Sequence, residues 1–276
     1  MKKTILFLLF SITVLGQNEL NVMSYNIRLG SVNDGENNWE LRKEKLVGLL
    51  SNYNADFIGL QEAQKFQLDY ILANLPEYDI IGLPREEGEF AEYSCILFKK
   101  NRFKVEEQKT IWLSETPNKI SKGWDAACNR IVTYGRFKSL KNKKQFWVAN
   151  THFDHVGTLA REKSAKLLND LGIDLTTKKQ IPLILTGDFN AEPNDIVISE
   201  LKKVYFDSYE TSIVKPYGPK GTWNAFDFAK PIERRIDYIF YTPMKEFQVK
   251  KIAIIDDFYD FKYPSDHLPV LTVFKI

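Results

Sequence analysis

A chain of 276 residues is long enough for one large α/β domain, and two-layer folds of this length often do not divide. It carries 38 lysines and arginines against 36 aspartates and glutamates, a near-balance that argues against a dedicated nucleic-acid binder, because phosphate backbones are held mainly by basic surface. The two cysteines, Cys95 and Cys128, allow one disulfide and exclude a disulfide scaffold; two buried thiols explain them at least as well.

Met1, Lys2 and Lys3 followed by an apolar stretch over 4–15 have the charged start and short hydrophobic body of a secretory signal peptide. Val14 and Gly16 suit cleavage before Gln17. The stretch is shorter than the ~20 residues that span a bilayer, so export to a secreted or periplasmic location is expected, with a retained anchor or a buried first strand as alternatives. The chain then divides into a signal over 1–16 and one catalytic domain over 17–276. Loss of Lys2 and Lys3 brings the mature net charge near zero. No later segment is long and apolar enough to cross a membrane, so a soluble monomer is expected.

In chain order, 20–27 alternates as a first strand, and 39–53 places Leu46, Leu49, Leu50 and Tyr53 at helical spacing. Residues 56–62 read as a short buried strand in which Ile58, Leu60 and Glu62 share one side. A second helix with Leu68, Ile71, Leu72 and Leu75 stops at Pro76. Branched and aromatic residues then predict strands over 78–83, 93–99, 103–113, 131–137 and 146–152. A third helix is expected over 158–172, an apolar strand over 181–186, a short helix over 196–202 and a Gly/Pro-rich loop over 215–221. Strands resume over 236–241, 247–255 and 268–276. No repeat, low-complexity tract or linker divides the chain. Many strands with a few helices between them predict two packed sheets with helices outside.

Polar residues suited to a phosphate and a metal recur at six places: Asn26, Glu62, Asn150 with His152, Asp188 with Asn190, Asp237, and Asp266 with His267. The first four close predicted strands and the last two open them. Ends of up strands and starts of down strands lie on one rim of an antiparallel sheet, so six distant segments can build one site. Each pair alone reads equally as a turn or a cap. Yet His152 and His267 are two of three histidines in the chain, and both fall on the expected rim. Histidine exchanges protons near neutral pH, and carboxylates suit hard cations. Glu62 would be costly to bury without an ionic partner or a metal.

Ser24-Tyr25-Asn26-Ile27-Arg28, Leu60-Gln61-Glu62, Asn150-Thr151-His152, Gly187-Asp188-Phe189-Asn190, Arg235-Ile236-Asp237-Tyr238-Ile239 and Ser265-Asp266-His267-Leu268-Pro269 resemble, in order, the motifs of the endonuclease/exonuclease/phosphatase superfamily of metal-dependent phosphoesterases. The resemblance covers almost the whole mature chain. It implies an α/β/β/α four-layer sandwich of two mixed sheets with the site at one rim. It also implies that Glu62, helped by Asn26 and Asp266, holds a divalent metal, Mg2+ with Mn2+ as the alternative. Asp188 is then expected to orient or deprotonate the attacking water, and Asn190 to position the water or the phosphate. His267, oriented by Asp237, is expected to contact the phosphate, and His152 to donate to a phosphoryl oxygen. Arg130, Asn150 and Trp223 are the residues expected to touch substrate, although a surface salt bridge explains Arg130, and core packing Trp223, as readily.

Other features carry less chemistry. Trp124 and an aromatic run over 258–263 could meet a leaving group or lipid, but packing explains them too. Asp154-His155 and Arg161 lie near the histidine motif and suit a turn and a solvated helix face equally. The expected function is a secreted divalent-metal-dependent hydrolase of phosphoesters by metal-assisted water attack, either a phosphodiesterase, a nuclease among the options, or a phosphatase. A sphingomyelinase or phospholipase C-like headgroup hydrolase and a non-catalytic phosphoester binder are the alternatives. Sequencing of exported protein should find a mature chain beginning at Gln17, whereas a chain beginning at Met1 would refute cleavage.

Overall fold

Leu20 and Val22 alternate with Met23 and Tyr25, so the first strand has two apolar faces and must be covered on both. The computed structural model describes residues 19–177, 180–245 and 247–276; the expected signal over 1–16 lies outside them. The first half of the chain forms β1 (Glu19–Asn26), α1 (Trp39–Tyr53), β2 (Phe57–Gln64), α2 (Lys65–Asn74), β3 (Tyr78–Ile81), β4 (Glu92–Lys99), β5 (Phe103–Trp112) and β6 (Ile131–Ser139). The second half forms β7 (Gln145–His152), α3 (Thr158–Thr177), β8 (Leu183–Asp188), α4 (Ile196–Leu201), β9 (Phe206–Asp207), α5 (Ser208–Thr211), β10 (Asp237–Tyr241), β11 (Gln248–Ile254) and β12 (Val270–Lys275).

The strands make two six-stranded sheets, ordered β11-β12-β1-β2-β4-β3 and β5-β6-β7-β8-β10-β9. Three apolar layers follow from strand alternation. Val22, Phe57, Ile96 and Phe98 of the first sheet meet Phe137, Val148, Ile184 and Ile239 of the second. Met23, Tyr25, Ile58 and Leu97 face outward onto Leu46, Leu49 and Leu50 of α1 and Leu68 and Ile71 of α2. Trp147, Leu183, Leu185 and Phe240 face α3 and α4 through Ala165, Leu168, Val197, Ile198 and Leu201. This is the expected four-layer α/β/β/α sandwich. Cys95 and Cys128 are both free thiols.

Within each sheet one pair is parallel, β1 with β2 and β7 with β8, and every other named pair is antiparallel. The ends of β1, β2, β7 and β8 therefore share a rim with the starts of β4, β6, β10 and β12. Asp237 pairs directly opposite Asp188, and His152 sits beside Asp188 in the parallel register.

Just below that rim the facing sheets approach closely. Gly59 makes this possible, because a Cβ there would stand 2.1 Å from Thr186 Oγ1 and 2.7 Å from Asn150 Oδ1. The structure departs from expectation at Glu62. Uninterrupted alternation would put it with Ile58 and Leu60 in the helix-facing layer. Instead the register slips between Leu60 and Ala63, and Glu62 adopts a φ of 58°, which swings its carboxylate to the rim. The short β9 and α5 were not anticipated, since neither is long enough to show a period. Gly59→Ala should lower stability by about 1–3 kcal/mol through overpacking, read as an earlier urea or thermal midpoint. An unchanged melt would show that the sheets can part without penalty.

Candidate active site

The end of β1 delivers Asn26, which is fully buried. Its amide nitrogen donates to Glu62 Oε1 and to Asp188 Oδ2, each at 3.0 Å, and so ties the two sheets together at the rim. Its oxygen accepts from Arg28 N at 3.0 Å. Asn26 was expected to help Glu62 hold a metal; its NH2 is turned to the two flanking carboxylates and orients them. The other Glu62 oxygen accepts from Leu29 N at 3.1 Å. Ser265 Oγ spends its one O–H on Asn26 O at 2.7 Å, so its 3.3 Å approach to Asp266 Oδ1 is at most the weak arm of a shared bond. Glu62 and Asp266 are half-buried and line the same cavity.

Asp188, Asp237 and His267 bring ligand-type atoms within 4.8 Å of one another. His267 Nδ1 donates to Asp237 Oδ2 at 2.8 Å, leaving Nε2 3.8 Å from Asp188 Oδ2. Burial alone would depress the His267 pKa, but Asp237 and Asp188 overcome it and hold the ring charged well above its usual range. Asp188 is pushed up to about 7 by burial and then by the charge of Asp237. Asn190 N and Asn26 fix its two oxygens. For Glu62, burial pushes upward, but the bond from Asn26, the charge of His267 and the bond from Leu29 outweigh it and keep the carboxylate ionised.

His152 behaves oppositely. Burial and then the Arg130 charge hold its pKa well below the usual histidine range. Its Nε2 pairs with Asn190 Nδ2 at 3.1 Å, while Nδ1 is buried with no partner. The expected donation to a phosphoryl oxygen therefore has one ring atom available, and Asn190 already engages it.

Asn150 is corrected. It was expected to touch substrate, but it lies fully buried beneath the rim. Its amide nitrogen donates to Leu60 O and Cys95 O at 2.8 Å each, and its oxygen accepts from Gln61 Nε2 at 2.6 Å and Thr186 Oγ1 at 3.0 Å. Every hydrogen-bonding position of the side chain is used inside the protein, so it braces one sheet against the other.

A cavity of about 540 Å³ opens above these residues. Among its walls are Arg28, Arg85, Glu92, Arg130, Trp223 and Arg234. Arg130 is buried, with Nε 3.4 Å from Asp154 Oδ2 and Nη2 3.0 Å from His155 Nδ1. The Arg234 guanidinium lies 4.9 Å from the centre of the Trp223 ring. Trp124 and the aromatic run over 258–263 stand outside this cavity; Phe258, Phe261 and Tyr263 pack on Phe228. Asp154 serves a turn, accepting from Ala127 N, Val156 N and Gly157 N, and Arg161 bonds Asp154 O.

One contributor was missed. Arg42 of α1 is buried, and its donors reach only backbone carbonyls: Asn37 O, Ile27 O, Arg28 O and Pro264 O, at 2.6–3.1 Å. It joins the loop after Asn26 to the loop before Asp266. The signal was an arginine on the same helical face as Trp39, Leu46, Leu49 and Leu50.

The sequence profile of the Endonuclease/Exonuclease/phosphatase family matches residues 23–267. The chain belongs to this family. Its structure is similar to that of a mannosyl-6-phosphatase from Bacteroides thetaiotaomicron VPI-5482, with 36% identity and a TM-score of 0.89 over 93% of this chain and 100% of that one. An uncharacterized protein of Acanthamoeba polyphaga mimivirus is 28% identical, covering 86% of this chain and 92% of its own. Nocturnin of Drosophila melanogaster is 25% identical over 94% of this chain, which spans only 47% of that relative's length.

Members of the endonuclease/exonuclease/phosphatase family are divalent-metal-dependent phosphoester hydrolases, and the residues present fit such a group. Glu62 and Asp266 are carboxylates that face one cavity, and burial, then the charge of Glu62, push the Asp266 pKa up. An all-oxygen pair of this kind suits a hard cation. Asp237→Asn should lower the His267 pKa toward its ordinary value, because the adjacent charge is lost. Ring-nitrogen NMR across pH reads this, and an unmoved titration would show that Asp237 does not hold the proton.

Proposed function

We propose that the chain is a Mg2+-dependent phosphomonoesterase that releases phosphate from a sugar phosphate. The observation that carries this reading is the charge pairing of the cavity arginines. Arg28 is bidentate to Asp34 at 2.9 Å, Arg85 pairs with Glu92 at 2.7 Å, and Arg234 pairs with Glu192 at 3.0 Å. Among the described residues that line the cavity, Arg130 is the arginine with the longest carboxylate contact, Nε to Asp154 Oδ2 at 3.4 Å, against 2.7–3.0 Å for the other three. One guanidinium fork suits one phosphoryl group. A nucleic-acid strand calls for several unpaired cations. The likeness to a mannosyl-6-phosphatase supports the same substrate class. Export is part of the proposal and rests on the segment over 1–16.

Asp188 is the group suited to take a proton from water, with its oxygens fixed by Asn26 and Asn190 and its pKa at about 7. His267, held charged by Asp237, is the group suited to give a proton to the departing alcohol oxygen. Arg130 donates to the phosphoryl oxygens. A divalent cation held by Glu62 and Asp266 supplies charge that favours negative oxygens in the transition state.

EDTA should abolish turnover and added Mg2+ restore it, with sugar monophosphates ahead of DNA, RNA and sphingomyelin in a side-by-side screen. Full activity in a metal-free preparation, or faster turnover of a nucleic acid, would sink the reading. Asp188→Asn and His267→Ala should each cut kcat by about 10²–10⁴-fold while leaving the melting temperature near that of the wild type. Wild-type rates in either variant would reassign these roles.

A further inference from the structure

Arg85 and Glu92 line the cavity but belong to none of the six polar places that mark the rim in the sequence. Topology puts them there. β4 runs antiparallel to β2, so its first residue, Glu92, starts at the rim where β2 ends. The connection from β3 folds back on it through Arg85 N to Glu92 O at 2.9 Å and a bridge between Pro84 and Tyr93. Arg85 O is held in turn by Trp112 Nε1 at 2.7 Å and by Asn129 Nδ2 at 3.4 Å, next to Arg130. The backbone under both side chains is therefore anchored to β5 and to the loop that carries Arg130.

The side chains form a fork-to-fork pair, with Arg85 Nη1 2.8 Å from Glu92 Oε2 and Nη2 2.7 Å from Oε1. Their side chains are only 14% and 13% exposed, so the exposed part lies in the cavity wall rather than in open solvent. The pair is neutral as a whole, and Arg85 Nε also donates to the more exposed Glu86 Oε1 at 3.3 Å, so no positive charge is left over. It still presents spare carboxylate lone pairs beside spare guanidinium N–H groups. A hydroxyl both donates and accepts, and neighbouring hydroxyls on a sugar ring match that alternation. A second phosphate does not, since the positive charge it seeks is already neutralised.

We propose that the Arg85–Glu92 pair is a specificity determinant that reads hydroxyl groups on the alcohol part of the substrate and selects monophosphates of neutral polyols over substrates with a second phosphate. This rests on the phosphomonoesterase reading above. Arg130 addresses the phosphoryl group, Trp223 and Arg234 form another part of the cavity wall, and the pair reads what the phosphate is attached to.

The test uses the full chain with Mg2+ and three substrates: a hexose 6-phosphate, 4-nitrophenyl phosphate, which has no ring hydroxyls, and a hexose 1,6-bisphosphate. In Glu92→Gln and in Arg85→Lys, the ratio of kcat/KM for the hexose phosphate to that for 4-nitrophenyl phosphate should fall by about 10- to 100-fold, the size expected for hydrogen bonds to charged groups. Glu92→Gln should also raise the bisphosphate-to-monophosphate ratio, because it leaves the Arg85 charge with only the more exposed Glu86 as a partner, whereas a purely structural brace would change neither ratio. Thermal midpoints of both variants identify any loss that comes from unfolding. Wild-type ratios in both folded variants would overturn the role of the pair while leaving the phosphomonoesterase reading intact. Failure of the wild-type protein to turn over the hexose phosphate would overturn that reading and the pair's role with it.

Discussion

The Asn26 side-chain NH2 donates one hydrogen bond to Glu62 in its own sheet and another to Asp188 in the facing sheet, each at 3.0 Å. The rest of the rim depends on this bridge. Glu62, Asp188, Asp237 and Asp266 bring four carboxylates to one small volume, and like charges so close repel strongly in a buried setting. The protein answers with directed donors. Asn26 serves two of the carboxylates, His267 serves Asp237, and the backbone nitrogens of Leu29 and Asn190 serve Glu62 and Asp188. Glu62 and Asp266 keep part of their surface toward the cavity, where a divalent cation fits.

Holding that arrangement strains the backbone. Arg28, Glu62 and Asn190 all adopt positive φ angles, between 47° and 58°, which non-glycine residues seldom take. Conformations of this kind cost on the order of 1–3 kcal/mol each and persist only where surrounding contacts enforce them. Those contacts are visible here. Arg42 grips the carbonyls of Ile27, Arg28 and Pro264, and Ser265 bonds Asn26 O. Below them Asn150 fastens Leu60 and Cys95 of one sheet to the strand that ends at His152. The site is thus preorganised by a buried polar layer that lies outside the cavity lining.

Charge is divided across the cavity in a way that suits its chemistry. The carboxylates favour a cation, His267 is held charged and His152 neutral, and each arginine of the cavity wall has a carboxylate partner, the longest contact being that of Arg130. Two histidines on one rim acquire opposite protonation because Asp237 and Asp188 outweigh burial at His267, whereas burial and then the Arg130 charge act in the same direction at His152. Neither sign follows from the residue type.

Most of the fold was legible because its signals are local. Alternation marked the long strands, helical spacing marked α1 to α3, and recurring polar residues at strand ends located the rim. The residues Asp188, Asp237, His267, Glu62 and Asp266 all meet where that pattern placed them. Sequence periodicity could not foresee the slip that turns Glu62 out of the helix-facing layer, since a bulge depends on what the partner strand offers. Nor could it tell Asn150 from His152, two residues apart on one face, because depth below the rim is set by the opposing sheet. Arg85 and Glu92 fall outside the six polar places and reach the cavity because β4 pairs against β2. The sequence by itself determined which side chains are present and which way each strand alternates. The tertiary structure alone decided which of them reach the cavity, because burial, pairing and charge state arise only once the two sheets face each other.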